Sequence, residues 1–158
     1  MQRTAPLLGV TSALVLCAIA CSDGVHGEVA EQRAIWQAQQ PERYVVQVCT
    51  LGIEPPGCVR EAVDGERVVA AQERIFDPTA PFWEAIEPER KALDAMFDRV
   101  AERARDQDAC SLDHVLYDDD LGYVTEYTLD CEATVTGGQY VVCFEPDEQD
   151  LTACDETP

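Results

Sequence analysis

The chain has 158 residues, a length for one domain rather than two. It carries 31 acidic against 11 basic residues, a formal net charge of −20, so it repels phosphate backbones and anionic lipid surfaces, and nucleic acid is not expected as a partner. Aliphatic and aromatic residues still recur throughout, which argues for a folded core rather than a disordered acidic tail.

The first residues read as an export signal. Arg3 precedes the uncharged apolar run "APLLGVTSALVLCAIA", which is of signal-peptide length and short for a membrane span. The run ends in "AIAC", which resembles a bacterial lipobox with Cys21 as the lipidated first mature residue, although Ala18 stands where such boxes prefer leucine. Ordinary secretory cleavage near the same point is the other reading. Residues 1–20 are thus the expected signal, 21–27 a tether, 28–146 one domain and 147–158 an acidic tail. Ser22 after the cysteine points, by familiar sorting rules, to the outer membrane, facing the periplasm or the surface.

After the tether, residues 27–40 have high helix propensity and place Val29, Ile35 and Trp36 on one side, with Pro41 as the stop. "RYVVQVCT" alternates like a strand, and "LGIEPPG" is a loop. In "CVREAVDGERVVAAQERIF" the Asp64-Gly65 pair between β-like runs predicts a hairpin on a type I′ turn. The irregular "DPTAPFWEAIEPE" holds Phe82 and Trp83, read as a lid over one end of the core or, alternatively, as a ligand-binding platform. A second helix from Pro88 has Leu93, Met96, Phe97, Val100, Ala101 and Ala104 on one stripe. Its other face, with Glu89, Arg90, Lys91, Asp94, Asp98, Arg99 and Glu102, reads as solvated surface. Strands at 112–117, 123–131 and 139–144 complete the chain, with Gly137-Gly138 as the turn into the last. The fold expected is α+β: an antiparallel sheet of about six strands with two amphipathic helices on one face, in the order helix, three strands, helix, three strands.

Of eight cysteines, Cys17 lies in the signal and Cys21 is the anchor. The remaining six, an even number in an exported domain, read as disulfides with fifteen possible pairings. Cys49 and Cys58 flank a Pro-Gly loop between neighbouring strands and are the first expected pair. Cys131 and Cys143 face each other if the turn is 136–138, and elimination leaves Cys110 with Cys154, pinning the tail. Zinc is not expected, since no C-x-x-C occurs and the histidines are His26 and His114 alone.

Catalytic material is sparse. In "SLDH", strand alternation points Ser111 and Asp113 one way and His114 the other, which spoils a relay, and His114 reads as a half-buried strand residue. With so many carboxylates, close pairs arise by chance and carry little information. No phosphate loop appears. "YDDDLGY" poses the choice between a cation site and a β-corner. Asp118, Asp120 and Glu126 are the candidate ligands, but an EF-hand would need glutamate where Leu129 stands. The corner reading is preferred: Asp118 accepts backbone N–H groups, Gly122 takes a positive φ, and at least one of Tyr117 and Tyr123 packs on the core with its hydroxyl reaching solvent.

These residues resemble a bacterial family of exported lipoproteins, domain of unknown function number 6174. The resemblance rests on Trp36, Tyr44 and Cys49, on "VDGERVV", on Leu93 and Phe97 in "ALDAMF", and on "VLYDDDLGYVT". Asp119 and Val124 stand where that family often has proline. The resemblance implies an envelope-facing domain and lends no catalytic residue. The expected function is therefore a non-enzymatic, lipid-anchored cell-envelope protein, without cofactor, that binds an envelope protein or small ligand and touches the membrane only through its anchor. A periplasmic enzyme inhibitor and a carboxylate- or cation-dependent hydrolase are the alternatives.

Overall fold

A computed structural model describes residues 24–52, 56–75, 82–87, 90–105, 110–131 and 137–155. The fold is α+β. Helix α1 (Val25–Gln39) leads into β1 (Arg43–Leu51), β2 (Gly57–Asp64), β3 (Arg67–Ile75) and the two-residue β4 (Glu84–Ala85). Helix α2 (Ala92–Arg105) is followed by β5 (Cys110–Tyr117), β6 (Val124–Cys131), β7 (Gly137–Pro146) and a short 3-10 turn, Leu151–Cys154. The strands form one antiparallel sheet of seven, in the order β4-β3-β2-β1-β7-β6-β5.

Both helices lie on one face. Val29 and Trp36 of α1 and Leu93, Met96, Phe97 and Val100 of α2 pack on Tyr44, Val46, Val48, Val63, Val124 and Tyr127 of the sheet. Trp36 is fully buried and meets Tyr44, Tyr123 and Phe144 edge-on, at centroid distances of 5.5, 5.6 and 6.0 Å. Arg33 ties the helices together, stacking over Phe97 and donating to the Asp98 carboxylate and the Asp94 carbonyl. The opposite face has its own smaller core, in which Val45, Ala62 and Cys143 are covered by Leu151 and Cys154.

Several expectations shift. The hairpin forms, but Asp64 pairs with Arg67, so the central residues are Gly65-Glu66. Only Gly65 has positive φ there, as in a II′ turn, which takes glycine first. Helix α1 starts at Val25, so residues 25–27 and His26 belong to its first turn rather than to the tether. Helix α2 starts at Ala92, later than Pro88, which lies outside the described residues. Gly137-Gly138 is not a turn: both residues sit inside β7, where a Cβ on Gly138 would lie 2.2 Å from the Tyr127 carbonyl oxygen. Glycine is required there by close strand approach.

That change of register decides the disulfides. Cys49 pairs with Cys58 across β1 and β2, but Cys110 pairs with Cys131 and Cys143 with Cys154. The expected Cys131–Cys143 and Cys110–Cys154 bonds are absent. Cys110 stands directly opposite Cys131, in step with the Leu112–Leu129 pair under the helices, while Cys143 packs on the other face. The tail is pinned by Cys154, through a different partner.

Residues 118–122 form a β-corner. The Asp118 carboxylate accepts the N–H groups of Asp120 (3.0 Å) and Leu121 (2.7 Å), and its carbonyl accepts that of Gly122. Gly122 has φ +76°, and a Cβ there would come within 2.8 Å of Ile35 and 3.1 Å of the Gln32 carbonyl. Tyr123 packs in the core. Burial, then the Asp118 charge and a hydrogen bond to that carboxylate, push its hydroxyl up to about 12. The Tyr117 hydroxyl is buried without a hydrogen-bond partner among the described residues, so of the two rings it is not the one whose hydroxyl reaches solvent. Gly122→Val is expected to cost more than about 1 kcal/mol, through φ and the clash with α1. Calcium at sub-millimolar concentration should leave the melting temperature unchanged in both wild type and Asp118→Ala. A calcium-dependent rise lost in Asp118→Ala would make the corner a cation site.

Candidate functional site

Helix α2 crosses the sheet from β2 toward β5, with α1 packed along one flank. Two clefts open beside it. The first, about 350 Å³, lies over β1, β2 and β3 against the first half of α2. Val48, Val59, Ile75, Ile86, Ala92 and Ala95 give it apolar walls, with Glu61, Glu73, Arg90 and Arg99 among its polar groups. The second, about 380 Å³, lies over β1, β7, β6 and the start of β5. It holds Thr50, Tyr127 and Leu129 on the sheet side and Arg99, Glu102 and Arg103 on α2. A polar row connects them: the Tyr127 hydroxyl donates to Gln139 Oε1 (3.1 Å), and Gln139 Nε2 donates to Thr50 Oγ1 (3.3 Å).

Glu61 is the unusual group. Strand alternation sets it between Val59 and Val63 on the helix-bearing face, opposite Val46, and it is 1% exposed. Its Oε2 accepts the Ala92 N–H at 2.7 Å, so a sheet carboxylate caps α2 where the helix dipole favours negative charge. Burial nevertheless pushes the carboxyl up to about 7; the Ala92 hydrogen bond opposes the shift and the Asp94 charge adds to it. Lys91 stands beside the cap, 8% exposed, with its ammonium on Glu66 (3.2 Å), Asp94 (3.5 Å) and Gln40 Oε1 (3.5 Å). Its burial corrects the expected solvated face. Tyr44, whose buried hydroxyl has no partner among the described residues, is raised by burial and then by the charges of Asp94, Glu61 and Glu66.

The sequence-derived candidates lie elsewhere. Phe82 is 77% exposed, and Trp83 stacks on the Arg60 guanidinium at 4.3 Å, on the face covered by the tail. Among the described residues neither ring joins a core cluster, so they form no lid on the core. Arg60 is held by Gln72, Asp155 and the Leu151 carbonyl, which makes the stack part of the tail's attachment. Cys21 lies outside the described residues. Asp118, Asp120 and Glu126 are not brought together: Asp118 is occupied at the corner and Glu126 meets His114 Nε2 at 3.3 Å. Among the described residues, no three or more His, Cys, Asp or Glu side chains are placed to hold a metal ion.

His114 is exposed rather than half-buried, and a bulge after Leu112 defeats the alternation argument. The bulge brings Asp113 within 3.5 Å of His114 Nδ1, while Thr128 Oγ1 lies 2.8 Å from that nitrogen and 3.2 Å from Asp113 Oδ2. A hydroxyl, an imidazole and a carboxylate are thus in sequence. The single Thr128 hydroxyl proton goes to Asp113, however, so its oxygen accepts from Nδ1–H, and the imidazole is not set to take a proton from it. These side chains line neither cleft. Ser111 stands opposite Asp130, apart from the group.

No protein-family model matches the chain, and no curated protein or solved structure matches it. Among the described residues, no helix is long and apolar enough to cross a membrane.

Sequence reasoning missed Glu61, Arg99 and the clefts. Glu61 was visible in principle, because Val59, Glu61 and Val63 share one face of a strand and a carboxylate on an apolar face needs a partner. Arg99 was hidden among the charges of an ordinary helix face.

Proposed function

We propose that the mature protein is a lipid-anchored cell-envelope protein that binds a small ligand, without catalysing a reaction on it, in the cleft between α2 and β1-β2-β3. The observation that carries this reading is the cleft itself: apolar walls with a few convergent charged groups on a disulfide-braced sheet, the usual make-up of a ligand site. The anchor is supported by the apolar run ending in "AIAC" and by the motif resemblance to exported lipoproteins; the outer membrane is its proposed location. Six cysteines joined as three disulfides suit an oxidising compartment.

Cys21→Ala is expected to abolish labelling by a fatty-acid probe and to release the protein from membranes. Unchanged retention would remove the anchor. Native mass spectrometry of protein purified from its own envelope should detect a bound small molecule that is absent from Ala95→Trp, whose indole fills the cleft. A mass unaltered by Ala95→Trp would place any ligand elsewhere.

A second reading has a specific observation behind it. Glu61, whose carboxyl burial raises to about 7, lines the same cleft as Glu73, and a pair of carboxylates in one cleft is the raw material of acid–base hydrolysis. Turnover that vanishes in both Glu61→Gln and Glu73→Gln would establish it in place of simple binding.

A further inference from the structure

The two clefts lie end to end along α2 and share Thr50 and Arg99 in their walls. On α2 both are walled by a single stripe, Ala92, Ala95, Arg99, Glu102 and Arg103, whose spacing of three and four residues keeps it on one side of the helix. The groove therefore follows α2, whose 14 residues span about 20 Å. Its character changes along that length. At the β2-β3 end Val59 and Ile75 face Ala92 and Ala95; at the β6 end the Tyr127 side chain and Gln139 row faces Arg99 and Arg103.

The charges are also sorted. The whole chain has 31 acids to 11 bases, yet the groove is lined by four arginines (Arg74, Arg90, Arg99 and Arg103) and three carboxylates (Glu61, Glu73 and Glu102). One of the three carboxylates, Glu61, is buried against the helix N-terminus rather than directed at solvent, and one of the four arginines, Arg90, is paired with Asp98. The acidic exterior is screened beyond about 8 Å at physiological salt, so a bound anion is governed by the guanidinium groups nearest to it.

We infer that this groove holds an elongated amphipathic anion, an acyl chain with a carboxylate or phosphate head, the chain lying along Ala92 and Ala95 and the head at Arg99 and Arg103. The inference rests on the cleft reading above and adds the ligand's class and direction. A flexible apolar chain suits walls made of aliphatic side chains, and a planar guanidinium matches either anionic head in two-point fashion.

The test is titration calorimetry on the mature, disulfide-bonded domain, with dodecanoate below its micellar concentration as the probe. Dodecanoate is expected to bind with one-to-one stoichiometry. Arg99→Gln should weaken it at least about tenfold, and Ala95→Trp should abolish it. Butyrate, with the head and no chain, and dodecyltrimethylammonium, with the chain and the opposite charge, should both bind at least about tenfold more weakly. Dodecyl phosphate in place of dodecanoate distinguishes the two heads. Equal binding of the cationic and anionic chains, or of butyrate and dodecanoate, overturns the inference. Loss of the envelope-derived ligand in Ala95→Trp without any dodecanoate binding overturns the ligand class and leaves the cleft reading standing. Dodecanoate binding that is unchanged in Ala95→Trp overturns the groove. Retained disulfides and an unshifted melting temperature in the unliganded variants exclude misfolding as the cause.

Discussion

Trp36→Ala is expected to lower the stability of the domain by about 3–5 kcal/mol. Trp36 is fully buried and is the one α1 ring that contacts three aromatic rings of the sheet side, Tyr44, Tyr123 and Phe144. Removing the indole leaves a cavity at the centre of that cluster, where Tyr44–Phe144 and Tyr123–Phe144 already stack and have little room to close it. Against a total of about 5–15 kcal/mol for an ordinary domain, such a loss is a large fraction. None of the three disulfides involves α1, so the helix should detach while the sheet stays covalently braced. Urea denaturation followed by circular dichroism checks it: the midpoint should fall sharply, with helical signal lost ahead of sheet signal. A change below about 1 kcal/mol would mean that the aromatic cluster is not the keystone of helix docking.

The second large effect belongs to Glu61. Its carboxyl is raised from 4.5 to about 7 in the folded state, chiefly by burial. The folded protein therefore holds this proton more tightly than the unfolded chain does. The stabilisation is fully present below about pH 4.5 and is lost as the pH rises through about 7, a swing on the order of 3 kcal/mol. Glutamine keeps a carbonyl to accept the Ala92 N–H and removes the buried charge. Glu61→Gln should accordingly raise the melting temperature at pH 8, leave it nearly unchanged at pH 5, and flatten the pH profile between them. A Glu61→Gln profile parallel to that of wild type would show that the carboxyl ionises without penalty. Glu61→Leu, which removes the cap as well, should be less stable than Glu61→Gln at pH 8.

Helical spacing identified α2's buried residues correctly because Leu93, Met96, Phe97 and Val100 obey one period and one face. The β2–β3 hairpin was legible for the same kind of reason, since Gly65 permits a backbone that few residues adopt. Long-range register was not legible. Two glycines at 137 and 138 look the same in a list of residues whether they turn the chain or let two strands approach. Only the neighbouring Tyr127 carbonyl decides between those roles, and the disulfide scheme followed the wrong choice. The bulge that turns Asp113 toward His114 is invisible to alternation for the same reason: alternation assumes an unbroken ladder. The groove was least legible of all, because it is made of separate strands brought under one helix, and each of its residues is unremarkable where it stands.

A ligand lying along α2 on the side away from α1 should be visible in the backbone amide chemical shifts of the isotope-labelled mature domain. On titration with dodecanoate, perturbations should run through Thr50, Cys58, Ala95, Arg99 and Gly138, residues of four elements that all line the groove. Perturbations confined to the Trp83–Arg60 stack, or to the His114–Thr128 side of the outer strands, would contradict it, as would a spectrum that does not move at all.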